Sequence, residues 1–177
     1  YRWELPLDLG PARSLLQAVL GSQVDAVTFT SAAAISNLFA IARLDGGEPA
    51  ADALVAALSG PVLPVCVGPV SAARLAAHGV PGAAYPARWR LGPMVRCLVE
   101  HLDPRRRTVA FGGGTADIQG TAVLAGGTEV MLSRREAQLL SALVDAGGAV
   151  VAKEQLARTV WEPSAAPHVV EVTVARL

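Results

Sequence analysis

Two short runs place hydroxyl groups and glycine where an apolar strand gives way to a helix. Thr28-Phe29-Thr30-Ser31-Ala32 is one, with Thr30 and Ser31 at the junction. Val67-Gly68-Pro69-Val70-Ser71-Ala72 is the other, with Gly68 small enough for a close backbone approach. In open α/β sheets the carboxyl ends of strands meet helix N-termini whose free N–H groups attract anions. Ser31, Gly68 and Ser71 are therefore candidates for holding an acidic ligand. Ser31 and Ser71 are equally readable as ordinary helix N-caps. A third run, Pro86-Ala87-Arg88-Trp89-Arg90, offers two guanidinium groups that could grip carboxylates bidentately, or simply lie in a solvated loop.

The elements needed to position these residues follow from periodicity and from Gly and Pro punctuation. Residues 11–21 form a helix, Val24–Thr30 a buried strand, and Ala32–Arg43 a helix capped near Ser31. Asp45-Gly46-Gly47 breaks that helix, and another runs from Pro49 to Leu58. A strand at Val62–Val67 leads into a helix at Ser71–His78. A short strand around Ala83–Tyr85 and a helix at Pro93–Leu102 complete this part. Strands alternating with helices predict βαβ units on a parallel sheet, an α/β lobe. Asp103-Pro104-Arg105-Arg106-Arg107 reads as the boundary, giving domains 1–103 and 104–177. Beyond it, Thr108–Phe111, Ala116–Leu124 and Thr128–Leu132 are short strands separated by glycines, so a small antiparallel sheet is expected. Helices at 133–146, 153–161 and 167–177 follow.

Composition frames what this arrangement can be. Of 177 residues 52% are apolar and 5% aromatic, ample for a core built largely of Ala and Val. Fifteen basic and fifteen acidic residues cancel. They cancel in each half, seven of each sign in residues 1–100 and eight of each in 101–177. Nucleic-acid binders usually carry a basic excess, so this balance counts against that class. Cys66 and Cys97 fall on a buried strand and a helix face. With no His or third Cys close in sequence, they predict reduced thiols in a cytoplasmic protein and no metal site. No apolar run reaches membrane-spanning length, and no signal peptide is expected. The chain opens at Tyr1 without an initiator Met and reads as a piece of a longer protein.

The run Asp25-Ala26-Val27-Thr28-Phe29-Thr30-Ser31, followed by Val67-Gly68-Pro69-Val70-Ser71-Ala72-Ala73-Arg74-Leu75 and His78-Gly79-Val80, resembles the C-terminal half of uroporphyrinogen-III synthases. The likeness spans residues 1–102. It implies one of two α/β lobes that hold a linear tetrapyrrole in the cleft between them. It also implies cyclisation of hydroxymethylbilane with inversion of one pyrrole and without a cofactor. On that resemblance Tyr1 faces the cleft, and Ser31 and Ser71 meet the substrate's acidic side arms, with Tyr1 and Ser71 as candidate catalytic residues. Thr30, Gly68, Arg88 and Arg90 join the candidate ligand-binding set. The family's second Ser-Pro-Ser is Ser31-Ala32-Ala33 here, and its Thr-Thr pair is Val70-Ser71. Its hydroxyl-rich anion loop is replaced by Arg88-Trp89-Arg90.

The last third carries a different pattern. Ser133-x-x-Glu136 is a capping box. Ala137, Leu139-Leu140 and Leu143-Val144 give a core stripe, Gly147-Gly148 ends that helix, Val150-Val151 crosses the core, and Leu156 and Val160 supply the next apolar face. Together with Trp161 and Val170-Glu171-Val172-x-Val174-x-Arg176-Leu177, this order resembles OmpR-type winged-helix effector domains over residues 108–177. His168–Val174 is rich in β-branched residues and by propensity reads as a strand. Pro167 and the stripe Val170, Val174, Leu177 favour a helix, and the resemblance makes it the recognition helix. Its outward residues would be His168, Thr173 and Arg176, the Arg pairing with guanine and the Thr touching a thymine methyl. Lys153 and Trp161 would lie near the phosphate backbone. Trp161 is also readable as a core anchor and His168 as a plain helix start. The family continues into a basic run and a hairpin wing, and the chain stops before both.

Three functions fit these readings. The first is a transcription regulator whose synthase-like lobe senses an acidic tetrapyrrole or other polycarboxylate, binds duplex DNA and could form a homodimer. The second is an active synthase, a lyase, that carries a winged helix. The third is a pair of modules serving protein assembly alone.

Overall fold

The computed structural model describes residues 5, 7–161 and 168–177, and the chain divides into two units, Tyr1–Pro104 and Arg105–Leu177. The first unit contains α1 (Gly10–Leu20), β1 (Ala26–Phe29), α2 (Ala32–Ser59), β2 (Leu63–Cys66), α3 (Pro69–Ala77) and α4 (Leu91–Leu102). β1 and β2 pair in parallel, Ala26 opposite Leu63 and Phe29 opposite Cys66. The expected third strand around Ala83–Tyr85 is reduced to one parallel bridge, Val65 with Ala84. The backbone explains why. Leu63 and Val67 donate toward β1, to Asp25 and Phe29, so the N–H groups of positions 64 and 66 point to the other edge. Position 64 is proline and has none to give, so that edge cannot sustain a ladder.

Ser31 begins α2 in extended conformation, its Oγ accepting the Ala34 N–H at 3.2 Å. The two helices expected on either side of Asp45-Gly46-Gly47 run as one element kinked at those glycines. Gly46 leaves helical geometry and Gly47 takes φ +67°. Pro49 falls in the first turn after the kink, where its missing N–H breaks no helical bond. The inward faces of α1, α2 and α3 close over β1 and β2. Leu16, Phe39, Ile35, Ile41, Leu54 and Leu75 are buried at the centre. Cys66 and Cys97 are buried free thiols, and burial pushes the Cys66 thiol up to about 11.

In the second unit β3 (Arg107–Phe111), β4 (Gly114–Gln119), β5 (Ala122–Ala125) and β6 (Thr128–Met131) form an antiparallel meander. The single strand expected at Ala116–Leu124 is two strands. Gly120, at φ +57°, reverses the chain inside a run whose side chains otherwise read as continuous β. Among the described residues three helices follow, α5 (Arg134–Asp145), α6 (Lys153–Val160) and α7 (His168–Val174). The capping box opens α5: Glu136 accepts from the Ser133 N–H at 2.7 Å while Ser133 Oγ accepts from the Glu136 N–H at 3.4 Å. Leu139, Leu156, Ala157, Val160 and Val170 make the core of the bundle. Only Val151 of the expected Val150-Val151 pair packs there, and Val150 is fully exposed. Arg107 of β3 reaches Asp145 at the end of α5, 2.7 Å away. No helix among the described residues is long and apolar enough to cross a membrane.

Candidate ligand and nucleic-acid sites

The parallel register sets the ends of β1 and β2 side by side, so the two helix starts they lead into are neighbours. Val67 donates to Phe29 at 2.9 Å and ties the junctions together. Thr30 and Ser31 are exposed there, although the Ser31 hydroxyl is engaged as the cap of α2. Ser71 departs from its expected place. Pro69 starts α3 two residues earlier, Gly68 is the N-cap, and Ser71 lies in the first turn, 4% exposed. Neither a cap nor an open hydroxyl, it can serve a ligand only through the amide end of the helix. Tyr1 lies outside the described residues.

The basic loop reaches this junction through a residue that spacing alone did not single out. A Cβ on Gly68 would stand 2.9 Å from Cγ of Trp89, because the indole lies directly on that glycine. Gly68 is extended, at φ −176°, a conformation open to any residue, so it is the close approach of Trp89 that demands glycine. Trp89 is nevertheless 64% exposed, with Arg88 and Arg90 exposed on either side of it in sequence. Arg90 is also the N-cap residue of α4, its carbonyl accepting from Met94 at 3.0 Å. The sequence signal was available: a glycine at a strand end and an aromatic inside an arginine loop.

In the second unit α7 turns Val170 into the core, with Val169 packed beside it. The opposite face carries His168, Glu171, Val172 and Ala175, all exposed. Thr173, expected to point outward, is half-buried and donates its hydroxyl to the Val169 carbonyl at 2.8 Å. The expected apolar stripe is also shorter than its spacing implied. Val174 and Leu177 are 47% and 44% exposed, because only the first turn of α7 reaches the α5–α6 core. Arg176 is exposed, in the turn that follows the helix.

Lys153, read as a phosphate contact, has its Nζ 2.5 Å from Glu171 Oε1, linking the first residue of α6 to the exposed face of α7. The hydrogen bond and the opposite charge raise the lysine's pKa and lower the glutamate's. Trp161 ends α6 and packs on the bundle core, with the Arg135 guanidinium 6.0 Å from its ring centre. Arg135 also donates to the Val160 carbonyl, so it binds both the end of α6 and the indole that follows. Trp161 is thus built into the bundle.

The arrangement defines two classes of module, a parallel α/β lobe with an anion-suited junction and a three-helix bundle that exposes one helix face. Residues 1–96 match the family model described as uroporphyrinogen-III synthase HemD, and the chain belongs to that family. Residues 127–177 match the model described as transcriptional regulatory protein, C terminal. A candidate uroporphyrinogen-III synthase of Methanothermobacter thermautotrophicus is 38% identical over 98 residues, which cover 55% of this chain and 36% of that protein. The chain thus spans about a third of the curated relative that it matches. Among solved structures, the uroporphyrinogen III synthase of Thermus thermophilus aligns at 30% identity and TM-score 0.46, over 54% of this chain and 36% of the other. The response regulator DrrB of Thermotoga maritima, an OmpR/PhoB homologue, aligns at 20% identity and TM-score 0.35, over 86% of this chain and 67% of the other.

Proposed function

We propose that this chain is a cytoplasmic DNA-binding transcription regulator whose synthase-like lobe senses an acidic ligand, an acidic tetrapyrrole or another polycarboxylate. The observation that carries this reading is the presence on one chain of a synthase-family lobe and a transcriptional-regulator domain. In the lobe, adjoining helix starts, Thr30, Ser31, Gly68 and the Arg88–Arg90 loop supply amides, hydroxyls and guanidinium groups suited to carboxylates. In the bundle, α7 is the groove-entering helix. Its exposed face offers Glu171 as an acceptor for a cytosine amino group and Val172 as a contact for a thymine methyl, with Arg176 available to guanine. His168 stands at the start of the same face.

The alternative, an active synthase, is supported by the 38% identity to the archaeal relative. One experiment separates the two. Purified protein is given hydroxymethylbilane and assayed for the cyclised product, and in parallel is titrated onto a pool of random duplex DNA with and without porphyrin carboxylates. A regulator selects particular sequences, shifts its affinity with the porphyrin and makes little product. Turnover matching a dedicated synthase, with no sequence selection, overturns the regulator reading.

A further inference from the structure

Arg88-Trp89-Arg90 is a closed three-residue turn. The Arg90 N–H donates to the Arg88 carbonyl at 2.9 Å, so Trp89 stands at the apex with an arginine on each side. The turn is held at its far end, where Arg90 leads straight into α4 and its carbonyl accepts from the Met94 N–H. The indole is held as well. Cγ, Cβ and Cδ1 are the atoms that a Cβ on Gly68 would meet, so the near end of the side chain rests on that glycine. Most of the residue nevertheless stays in solvent. Arg13 and Arg43 of the same unit are paired, with Asp45 and Glu48. The exposed side chains of Arg88 and Arg90 have no ion pair or hydrogen bond among the described residues.

A seated indole between two uncommitted guanidinium groups matches a flat conjugated ring with carboxylates at its rim. Aromatic faces stack in offset fashion, and guanidinium groups grip carboxylates two bonds at a time. The place also fits a small ligand, since Gly68 lies just past the carboxyl end of β2, where α/β lobes hold theirs. The linear tetrapyrrole on which a synthase acts joins its pyrroles through saturated carbons and offers no extended flat face. A fully conjugated macrocycle does. We propose that Trp89 is a stacking platform that selects a flat, conjugated macrocycle over linear or reduced tetrapyrroles with the same carboxylates. This rests on the acidic-ligand reading of the same junction and adds conjugation as the property by which the ligand is chosen. Single-stranded nucleic acid also stacks on aromatics beside arginine. Its backbone needs a basic track, however, and residues 1–100 carry seven charges of each sign.

The test compares two ligands with identical carboxylates, a porphyrin octacarboxylate and the porphyrinogen made from it by reduction, which is no longer planar. Each is titrated into the whole chain by calorimetry, anaerobically and in the dark. The wild type should bind the porphyrin about tenfold or more tighter, the size of an aromatic stack together with the surface that it covers. W89L should bring the porphyrin down to the affinity of the porphyrinogen and leave the porphyrinogen where it was. W89F should keep part of the preference, and R88A and R90A should weaken both ligands alike. Far-UV circular dichroism and melting temperature confirm that each variant is folded. Equal wild-type affinity for the two ligands, unmoved by W89L, overturns the stacking platform and leaves the acidic-ligand reading standing. Failure of both ligands to bind overturns the two together. A thymidylate oligonucleotide that binds the wild type more tightly than the porphyrin does, and is lost in W89L, assigns the indole to nucleic acid and overturns the proposal.

Discussion

Lys153 Nζ meets Glu171 Oε1 at 2.5 Å, joining the first residue of α6 to the outward face of α7. Both side chains remain substantially exposed, so the pair adds little to stability. On the proposed function its consequence is for recognition, because the lysine fixes a carboxylate on the face of α7 that would enter the major groove. Glu171→Ala should therefore relax selectivity at a single base position by about tenfold, the size of a lost base contact. Lys153→Ala should relax the same position, because it frees the carboxylate. A phosphate-contacting lysine would instead weaken all sequences alike. Sequence selection followed by titration of matched and singly mismatched duplexes distinguishes the two outcomes.

Ser31 has a structural duty and, on the proposed function, a ligand-facing one, and two substitutions separate them. Ser31→Ala removes the acceptor for the Ala34 N–H and should cost about 1 kcal/mol of stability, read from urea unfolding. Ser31→Asp keeps the cap, since Asp caps as well as Ser, and should leave stability near wild type. It also sets a carboxylate beside the helix starts, so it should weaken binding of a porphyrin carboxylate more than the alanine does. If both variants bind as wild type does, the anion site lies elsewhere.

Much of the element order was readable because Gly and Pro punctuate the chain. Ser31, Gly46-Gly47 and the Ser133–Glu136 box fall where their chemistry places them. The start of α3 was also within reach, since proline at a first helical position is the stronger signal than a serine two residues on. Other features depend on packing that one-dimensional spacing does not contain. Thr173 and Glu171 are two residues apart on α7, and which of them faces out depends on how α5 and α6 receive Val170. The Lys153–Glu171 pair and the seat of Trp89 on Gly68 both link distant positions, so no local pattern announces them. The lost third strand is an intermediate case. Pro64 is visible in sequence, but which edge its missing N–H faces emerges only from the register.

His78 predicts a pH dependence of the first unit. Its ring stacks on Phe39, with centroids 4.2 Å apart and planes 4° from parallel. Burial, then the positive charges of Arg43 and Arg74, lower its pKa below the ordinary value of 6.5. The unfolded chain therefore takes up a proton at a higher pH than the folded one. The stability from keeping this ring neutral is fully present above pH 6.5 and is lost as pH falls below it. The urea midpoint of the first unit should fall between pH 7 and pH 5. His78→Phe, which keeps an aromatic ring against Phe39 without a titrating nitrogen, should flatten that part of the decline. An equal fall in both proteins would assign the dependence to other groups.

The contact of Trp89 with Gly68 ties the arginine loop to the strand-end junction, and it can be broken by one methyl group. In Gly68→Ala the new Cβ would lie 2.9 Å from Cγ and 3.2 Å from Cδ1 of Trp89, too close for the indole to stay. The backbone at Gly68 is extended and accepts alanine without strain, so the ring and its loop must yield. Because Trp89 is largely exposed it can swing toward solvent, and the stability cost should stay near the low end of the roughly 1–3 kcal/mol typical of overpacking. Trp89 emission should shift to the red, read in a protein with Trp3 and Trp161 replaced by Phe. Arg88 and Arg90 move with the loop, so affinity for a porphyrin carboxylate should fall well beyond what the small stability loss explains. Arg88→Ala and Arg90→Ala supply the comparison. If Gly68→Ala weakens the ligand as much as these arginine variants do, the indole's role is to seat the arginines at the junction. If emission shifts while ligand affinity holds, the loop and the anion site are independent, and the hydroxyl and amide groups of the two helix starts bind the ligand without it.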